Sequence, residues 1–180
     1  MARVNKPLGK SLERPLCRRY ALVLVSPFNV DIATWDVTNQ QRWRWALGML
    51  ADGECEALGA WPATATQDFL LRECLRERGV ERIDGLLGDE PLARRMGVPV
   101  AVQPMKGAGV VARARASQLH AKIERAVSRA TPFSGFHSVC ACVGRILEQA
   151  ELAELARQRR SLRAQWRARG LQTPAPATRL

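Results

Sequence analysis

The sequence predicts a mixed α/β domain in which an antiparallel hairpin, a mixed sheet and flanking helices precede a long C-terminal helix. Three observations lead to this prediction. The apolar run at residues 20–25 has the length and composition of a buried strand. Two strand-like runs flank Asp52-Gly53, a dipeptide typical of tight hairpin turns. Apolar residues then recur at helical spacing from Ser117 onwards. Antiparallel strands followed by a strand–helix–strand unit indicate helices packed on a mixed sheet.

The strands come first along the chain. The strand at 20–25 ends before Ser26-Pro27, and the polar stretch 28–41 predicts a strand edge followed by a loop. Residues 44–50 and 54–61 form the predicted hairpin, whose type I′ turn needs positive φ at both central residues.

Helix signals follow the hairpin. Thr64 and Gln67 resemble a capping box, and Gly79 suits the position after a helix end. Residues 82–87 predict a strand, Pro91 begins a short helix that reaches Met96, and 98–102 is a weaker strand. Two helices follow, separated at residues 131–132.

These elements divide the chain into four predicted segments. Residues 1–19 form an irregular basic arm, and residues 20–135 form the α/β domain. Residues 136–170 form a basic C-terminal helix, and residues 171–180, which contain two prolines, form a disordered tail.

The charge balance indicates a polyanionic partner. The chain has 180 residues, with 28 Lys and Arg against 17 Asp and Glu, giving a net charge of +11. Such an excess favours nucleic acid as the partner, although a general richness in arginine would give the same count.

The five cysteines do not predict a disulfide framework, since their number is odd and their spacing irregular. His137, Cys140 and Cys142 form a compact cluster, but zinc needs a fourth ligand, so packing is the favoured interpretation. The apolar run at 20–25 is too short for a signal peptide or a membrane span. We therefore expect a soluble cytoplasmic protein that does not bind membranes.

The stretch from Trp45 to Asp89 resembles a known family. It contains the hairpin 46–61, Asp68-Phe-Leu-Leu, the turn Leu75-Arg-Glu-Arg-Gly-Val80 and a strand that leads into Gly88-Asp89. This ordered set is similar to the ribonuclease-H-like catalytic domain of Mutator-type insertion-sequence transposases. The resemblance implies a ribonuclease-H-like fold for residues 20–135.

The resemblance also implies a site of two aspartates and a glutamate that holds Mg²⁺ ions for cutting and joining DNA. Asp89 matches the second aspartate, as a catalytic residue and metal ligand. The first aspartate falls near Ser26, where Asp31 is a displaced alternative. The glutamate is not located, although Glu148 is a candidate. Asp89 could instead cap the following helix, so enzymatic activity stays open.

Two groups of arginines are candidate phosphate contacts. No acidic residue follows Glu154, so the last helix ends in a block of positive charge. The alternative is a solvated helix face in which arginines pair with Glu148, Glu151 and Glu154. The candidates are Arg113, Arg115, Arg157, Arg159, Arg160, Arg163 and Arg167. Trp43 and Trp45 could stack on bases, but tryptophans of a strand more often belong to the core.

Three functions follow from these residues. The first is a transposase-derived DNA-binding protein without complete strand-transfer activity. The second is a protein-interaction module, in which Leu155, Leu162 and Trp166 dock a partner helix or a second copy. The third is an intact metal-dependent nuclease that uses displaced carboxylates.

Overall fold

The computed structural model describes residues 15–35, 37–101 and 107–168, and its fold is a mixed sheet with helices on both faces. The basic arm before residue 15 and the predicted tail 171–180 lie outside the described residues. The elements are β1 (Arg19–Tyr20), β2 (Leu22–Thr34), β3 (Val37–Met49), β4 (Cys55–Pro62), α1 (Ala65–Glu77), β5 (Arg82–Ile83), β6 (Leu86–Leu87), α2 (Glu90–Met96), α3 (Ala108–Ala130) and α4 (Phe136–Ala168). The mixed α/β class, the antiparallel hairpin and the long C-terminal helix are confirmed.

The main sheet has the strand order β4-β3-β2-β6, with β6 parallel to β2 and the other neighbours antiparallel. β1 and β5 form a separate parallel pair. The single strand predicted over 82–87 is therefore split between two sheets. Val100 continues the main sheet beyond β6 through one parallel bridge to Leu86.

The loop predicted within 28–41 is wrong, because β2 and β3 pair without interruption from Leu22↔Met49 to Thr34↔Val37. β4 pairs with β3 only as far as Trp43, so the distal part of the β2–β3 hairpin forms an arm. Phe133 joins this arm through one parallel bridge to Ile32. Phe28, Val30 and Ile32 are buried on one face of the arm. Polar residues alternate with these three, and that alternation is the strand pattern.

The hairpin predicted between β3 and β4 is present, but its turn is not type I′. Within this turn Gly53 has a positive φ, at 88°, and Asp52 does not, because every described residue with a positive φ is a glycine. The Leu50 amide donates to the Glu54 carbonyl at 2.8 Å, and the Gly53 amide donates to Leu50 at 3.0 Å. This is a three-residue loop with glycine at its left-handed position.

The predicted starts of α1 and α2 are confirmed by their capping bonds. Thr64 Oγ1 accepts from the Gln67 amide at 3.2 Å, and Asp89 Oδ1 accepts from the Leu92 amide at 2.8 Å. α3 begins at Ala108, earlier than the predicted Ser117.

Each face of the sheet carries its own apolar core. α3 and α4 cover the face with Trp43 and Trp45, both fully buried, so their interpretation as core residues is confirmed. α1 and α2 cover the opposite face around Tyr20 and Trp61. Val139, Val143 and Leu147 place the first half of α4 in the same core as the α/β region. None of the described helices combines the length and the apolar character needed to span a membrane.

Candidate nucleic-acid interface

Asp89 follows β6 and lies opposite the position where the resemblance implies the first aspartate. The β2–β6 register pairs Val23 with Leu86 and Leu24 with Leu87. β6 ends at Leu87, and continuing its register by two residues would place Asp89 level with Ser26, which is half-buried. Ser26 shares its face of β2 with Leu24 and Phe28, the face that α3 and α4 cover.

Both carboxylate oxygens of Asp89 already have protein partners. Oδ1 caps α2 through the Leu92 amide at 2.8 Å, and Oδ2 accepts from Arg44 Nε at 2.5 Å. Arg44 lies on the α1/α2 face of the sheet, so the Asp89 side chain is directed away from Ser26. Its contacts are those of an N-cap residue and an ion-pair partner.

Arg44 joins Asp89 to Asp68 in a network that we call the Arg44 network: Arg44, Asp68, Asp89 and Arg95. Arg44 Nη1 donates to Asp68 Oδ1 at 2.8 Å, and Arg95 Nη2 lies 2.6 Å from Asp68 Oδ2. Trp61 Nε1 also donates to Asp68, at 3.4 Å. Arg44 and Asp68 are 7% and 1% exposed. The two cations and two anions cancel, as buried charges require if they are to be tolerated.

The alternation of Trp43-Arg44-Trp45 correctly predicts that Arg44 faces away from the tryptophans. It does not show that helices also cover the face of the sheet on which Arg44 lies. Those helices, α1 and α2, come later in the chain. Asp68 and Asp89 lie 24 and 45 residues from Arg44.

Asp31 lies on the distal arm and does not approach Asp89. Its carboxylate contacts Gln40 Nε2 and Thr131 Oγ1, each at 3.5 Å. Asp31 is five residues beyond Ser26, which corresponds to about 16 Å along an extended strand. The two ions of a two-metal site lie only about 4 Å apart. Asp31 and Asp89 therefore do not converge on one such site.

The residues present do not fit the Mg²⁺ site that the resemblance implies. A serine stands opposite Asp89, and Asp89 is engaged by an amide and a guanidinium. Among the described residues, no three His, Cys, Asp or Glu side chains come together as a metal site.

The candidate arginines divide between two surfaces. Arg115, Arg157 and Arg160 line a groove of about 440 Å³ between α3 and α4, together with Lys122. Arg113 instead lines a separate cleft beside Ser26. Positions 113 and 115 are about 200° apart around a helix, so both cannot face one groove.

Two acidic residues, Glu151 and Glu154, line this groove and partly neutralise it. Glu154 pairs closely with Arg115 and also contacts Arg157 Nη2 at 3.4 Å. Arg159 and Arg160 are exposed. The side chains of Arg163 and Arg167 lie outside the described residues.

The second half of α4 leaves the core. Leu147 is fully buried and Glu154 is half-buried, but every described side chain from Leu155 to Gln165 is exposed. The fourteen residues 155–168 correspond to about 21 Å of helix. We call residues 155–168 the exposed α4 segment, and its charged residues are all arginine.

The cysteines have the environment of packing residues. Burial raises the pKa of Cys140 to about 12 and also raises the pKa of Cys142. Burial likewise raises the pKa of Cys55 in the α3–α4 groove, and the nearby Arg115 opposes that shift. Cys140 and Cys142 lie about 200° apart on α4, so they do not face one zinc ion.

No protein-family model matches the sequence, and a comparison with curated proteins finds no match. The chain's own geometry therefore provides the grounds for its function.

Proposed function

We propose that this chain is a DNA-binding protein related to Mutator-type transposases, which contacts the phosphate backbone through the exposed α4 segment and the adjoining groove. The observation that carries the proposal is the exposed α4 segment itself. Its described side chains are all exposed, and every charged residue in it is an arginine.

The electrostatics favour a duplex. Double-stranded DNA carries one negative charge per about 1.7 Å of its axis, and its major groove, about 12 Å wide, admits an α-helix. Arg157, Arg159 and Arg160 occupy one turn of α4, and Lys122 extends the positive surface along the groove, where Arg115 is paired with Glu154. Arginine forms bidentate hydrogen bonds with phosphate, so an arginine-rich helix suits this ligand.

The topology supports a relationship to the ribonuclease-H-like family. An antiparallel β2–β3–β4 unit is followed by α1 and then by the parallel strand β6, which leads into Asp89. That is the element order of the family that the sequence resembles. Since Arg44 and the Leu92 amide bind the carboxylate of Asp89, the described residues do not form a strand-transfer site of the two-metal type.

Fluorescence anisotropy with a labelled duplex tests this function. The triple variant Arg157→Ala/Arg159→Ala/Arg160→Ala should weaken binding at least tenfold at low salt. A matched control, Arg125→Ala/Arg129→Ala/Arg145→Ala, removes the same charge from exposed positions nearer the α3–α4 connection and should change affinity much less. Equal losses in both variants would show that only net charge matters, and undiminished binding by the first variant would refute the proposal.

A second candidate function rests on two exposed apolar side chains of α4. Leu152 and Leu155 are 66% and 50% exposed and lie three residues apart, the spacing of a helix-docking face. Leu162 and Trp166, which continue the predicted face, have side chains outside the described residues. A dimer seen by light scattering, which persists at high salt and is abolished in Leu152→Glu/Leu155→Glu, would favour this function.

A further inference from the structure

A cleft of about 270 Å³ opens between α3 and the junction of β2 with β6. The resemblance to Mutator-type transposases implies a metal site at this position. The polar residues of the cleft are Ser26, Arg113, Ser117 and His120, and none of the described residues that line it is acidic. The residue types that would hold a cation are therefore replaced by hydroxyl groups and a guanidinium. We propose that this cleft, the Ser26 cleft, binds a phosphate group of DNA directly through Arg113, without a metal ion.

Arg113 is the positive charge of the cleft. Its side chain is exposed and forms no ion pair within the described part of the chain, whereas Arg115, two residues later, is paired with Glu154. An unpaired guanidinium presents a planar set of donors that matches two oxygens of a phosphate.

His120 has a partner at each ring nitrogen. Trp45 Nε1 donates to His120 Nδ1 at 3.2 Å. Its Nε2 lies 3.3 Å from Glu124, an exposed residue on the next turn of α3. Arg113 is the permanently charged residue among those that line the cleft, because the neighbouring Asp89 does not line it and is held by Arg44 on the other side of the sheet.

The floor of the cleft is main chain. Gly88 has φ of +102°, and a Cβ there would lie 2.1 Å from the Val25 carbonyl oxygen, so only glycine fits. The hydroxyl groups of Ser26 and Ser117 stand at its sides and can donate to phosphate oxygens. A volume of about nine waters, at about 30 Å³ each, accommodates a phosphate group.

The assignment of the phosphate to DNA rests on the proposed function, whereas the phosphate site itself does not. Nuclear magnetic resonance of the full chain separates the two. Inorganic phosphate should shift the amide signals of Ser26, Gly88 and Ser117 in the wild type, in EDTA as well as in Mg²⁺. Arg113→Ala should lose these shifts, Arg113→Lys should retain part of them, and Arg129→Ala, an exposed control on the same helix, should keep them.

Ser26→Asp gives the opposite test, since a carboxylate there would pair with Arg113 and exclude phosphate. Three results would overturn the site. They are phosphate-induced amide shifts that persist in Arg113→Ala or Ser26→Asp, an absence of shifts in the wild type, and shifts that appear only with Mg²⁺. A short duplex that binds and moves the same three amides supports DNA as the source, and Arg113→Ala should then weaken duplex binding about tenfold. A duplex that binds without moving them would overturn that source, leaving a free phosphate compound as the ligand. Phosphate shifts without any duplex affinity would instead refute the proposed function.

Discussion

Replacing Arg44 with methionine should lower the free energy of unfolding by about 3 kcal/mol, the lower end of the range of about 3–5 for removing one partner of a buried ion pair. Methionine keeps most of the apolar stem, so the loss comes from the charges rather than from a cavity. Asp68, which is 1% exposed, would keep only Arg95 as a cationic partner, and that side chain is 41% exposed. Asp89 would keep its bond to the Leu92 amide. These two remaining contacts are the reason for the lower end of the range.

Urea unfolding followed by tryptophan fluorescence measures this change, and Arg42→Met on the exposed part of the same strand is the control. A loss of about 3 kcal/mol corresponds to a fall in Tm of about 6–12 °C for a chain of this size. Asp89→Asn keeps an oxygen for the helix cap but removes the charge that Arg44 binds. A double-mutant cycle between the two should therefore give a coupling energy of about 1–3 kcal/mol.

Two results would refute this reasoning. The first is a cost below about 1 kcal/mol for Arg44→Met, or additive effects in the cycle, which would mean that the Arg44 network is not formed. The second is stabilisation of the wild type by Mg²⁺ that disappears in Asp89→Asn, which would mean that Asp89 binds metal after all.

Three further predictions concern the core. Burial and the Glu56 carboxylate raise the pKa of Tyr20, the only tyrosine. The stability that the neutral phenol contributes is therefore present below about pH 10 and is lost as the pH rises towards the pKa of the folded state. Absorbance at 295 nm should show no tyrosine ionisation near pH 10 in the folded chain, unlike in urea. Cys140 should react with a thiol reagent far more slowly in the folded chain than in urea, since burial raises its pKa to about 12; rapid labelling of Cys140 in native protein, seen by peptide mass spectrometry, would contradict this. Gly48→Ala should cost about 1–3 kcal/mol in urea unfolding, because its Cβ would lie 2.5 Å from the buried Tyr20 ring; an unchanged midpoint would contradict that close approach.

Sequence patterns predict the parts of the fold that depend on residues close together in the chain. Thr64, Gly53 and Asp89 each act within three residues of themselves, through a cap or a turn, and each lies where the pattern places it. The sequence does not predict the distal arm. Ser26 and Pro27 interrupt the apolar run, and this interruption obscures the strand alternation of Phe28, Val30 and Ile32.

The candidate site depends on contacts between distant residues, and sequence patterns predict these poorly. The sequence correctly indicates Asp89 as a possible cap, but its pairing with Arg44 requires the packing of α1 and α2 on β3. The opposite directions of Arg113 and Arg115, by contrast, follow from helical periodicity alone. That periodicity is the signal in the sequence that assigns these two arginines to separate surfaces.

The salt dependence of duplex affinity tests the central claim most directly. If the exposed α4 segment contacts phosphates, the wild type should show a steep linear fall of log K with log salt concentration. The Arg157→Ala/Arg159→Ala/Arg160→Ala variant should reduce that slope by about 3, close to one for each phosphate that the variant no longer neutralises. The slope of the Arg125→Ala/Arg129→Ala/Arg145→Ala control should stay near that of the wild type. Equal slopes in all three proteins, or an affinity that salt does not change, would contradict the account.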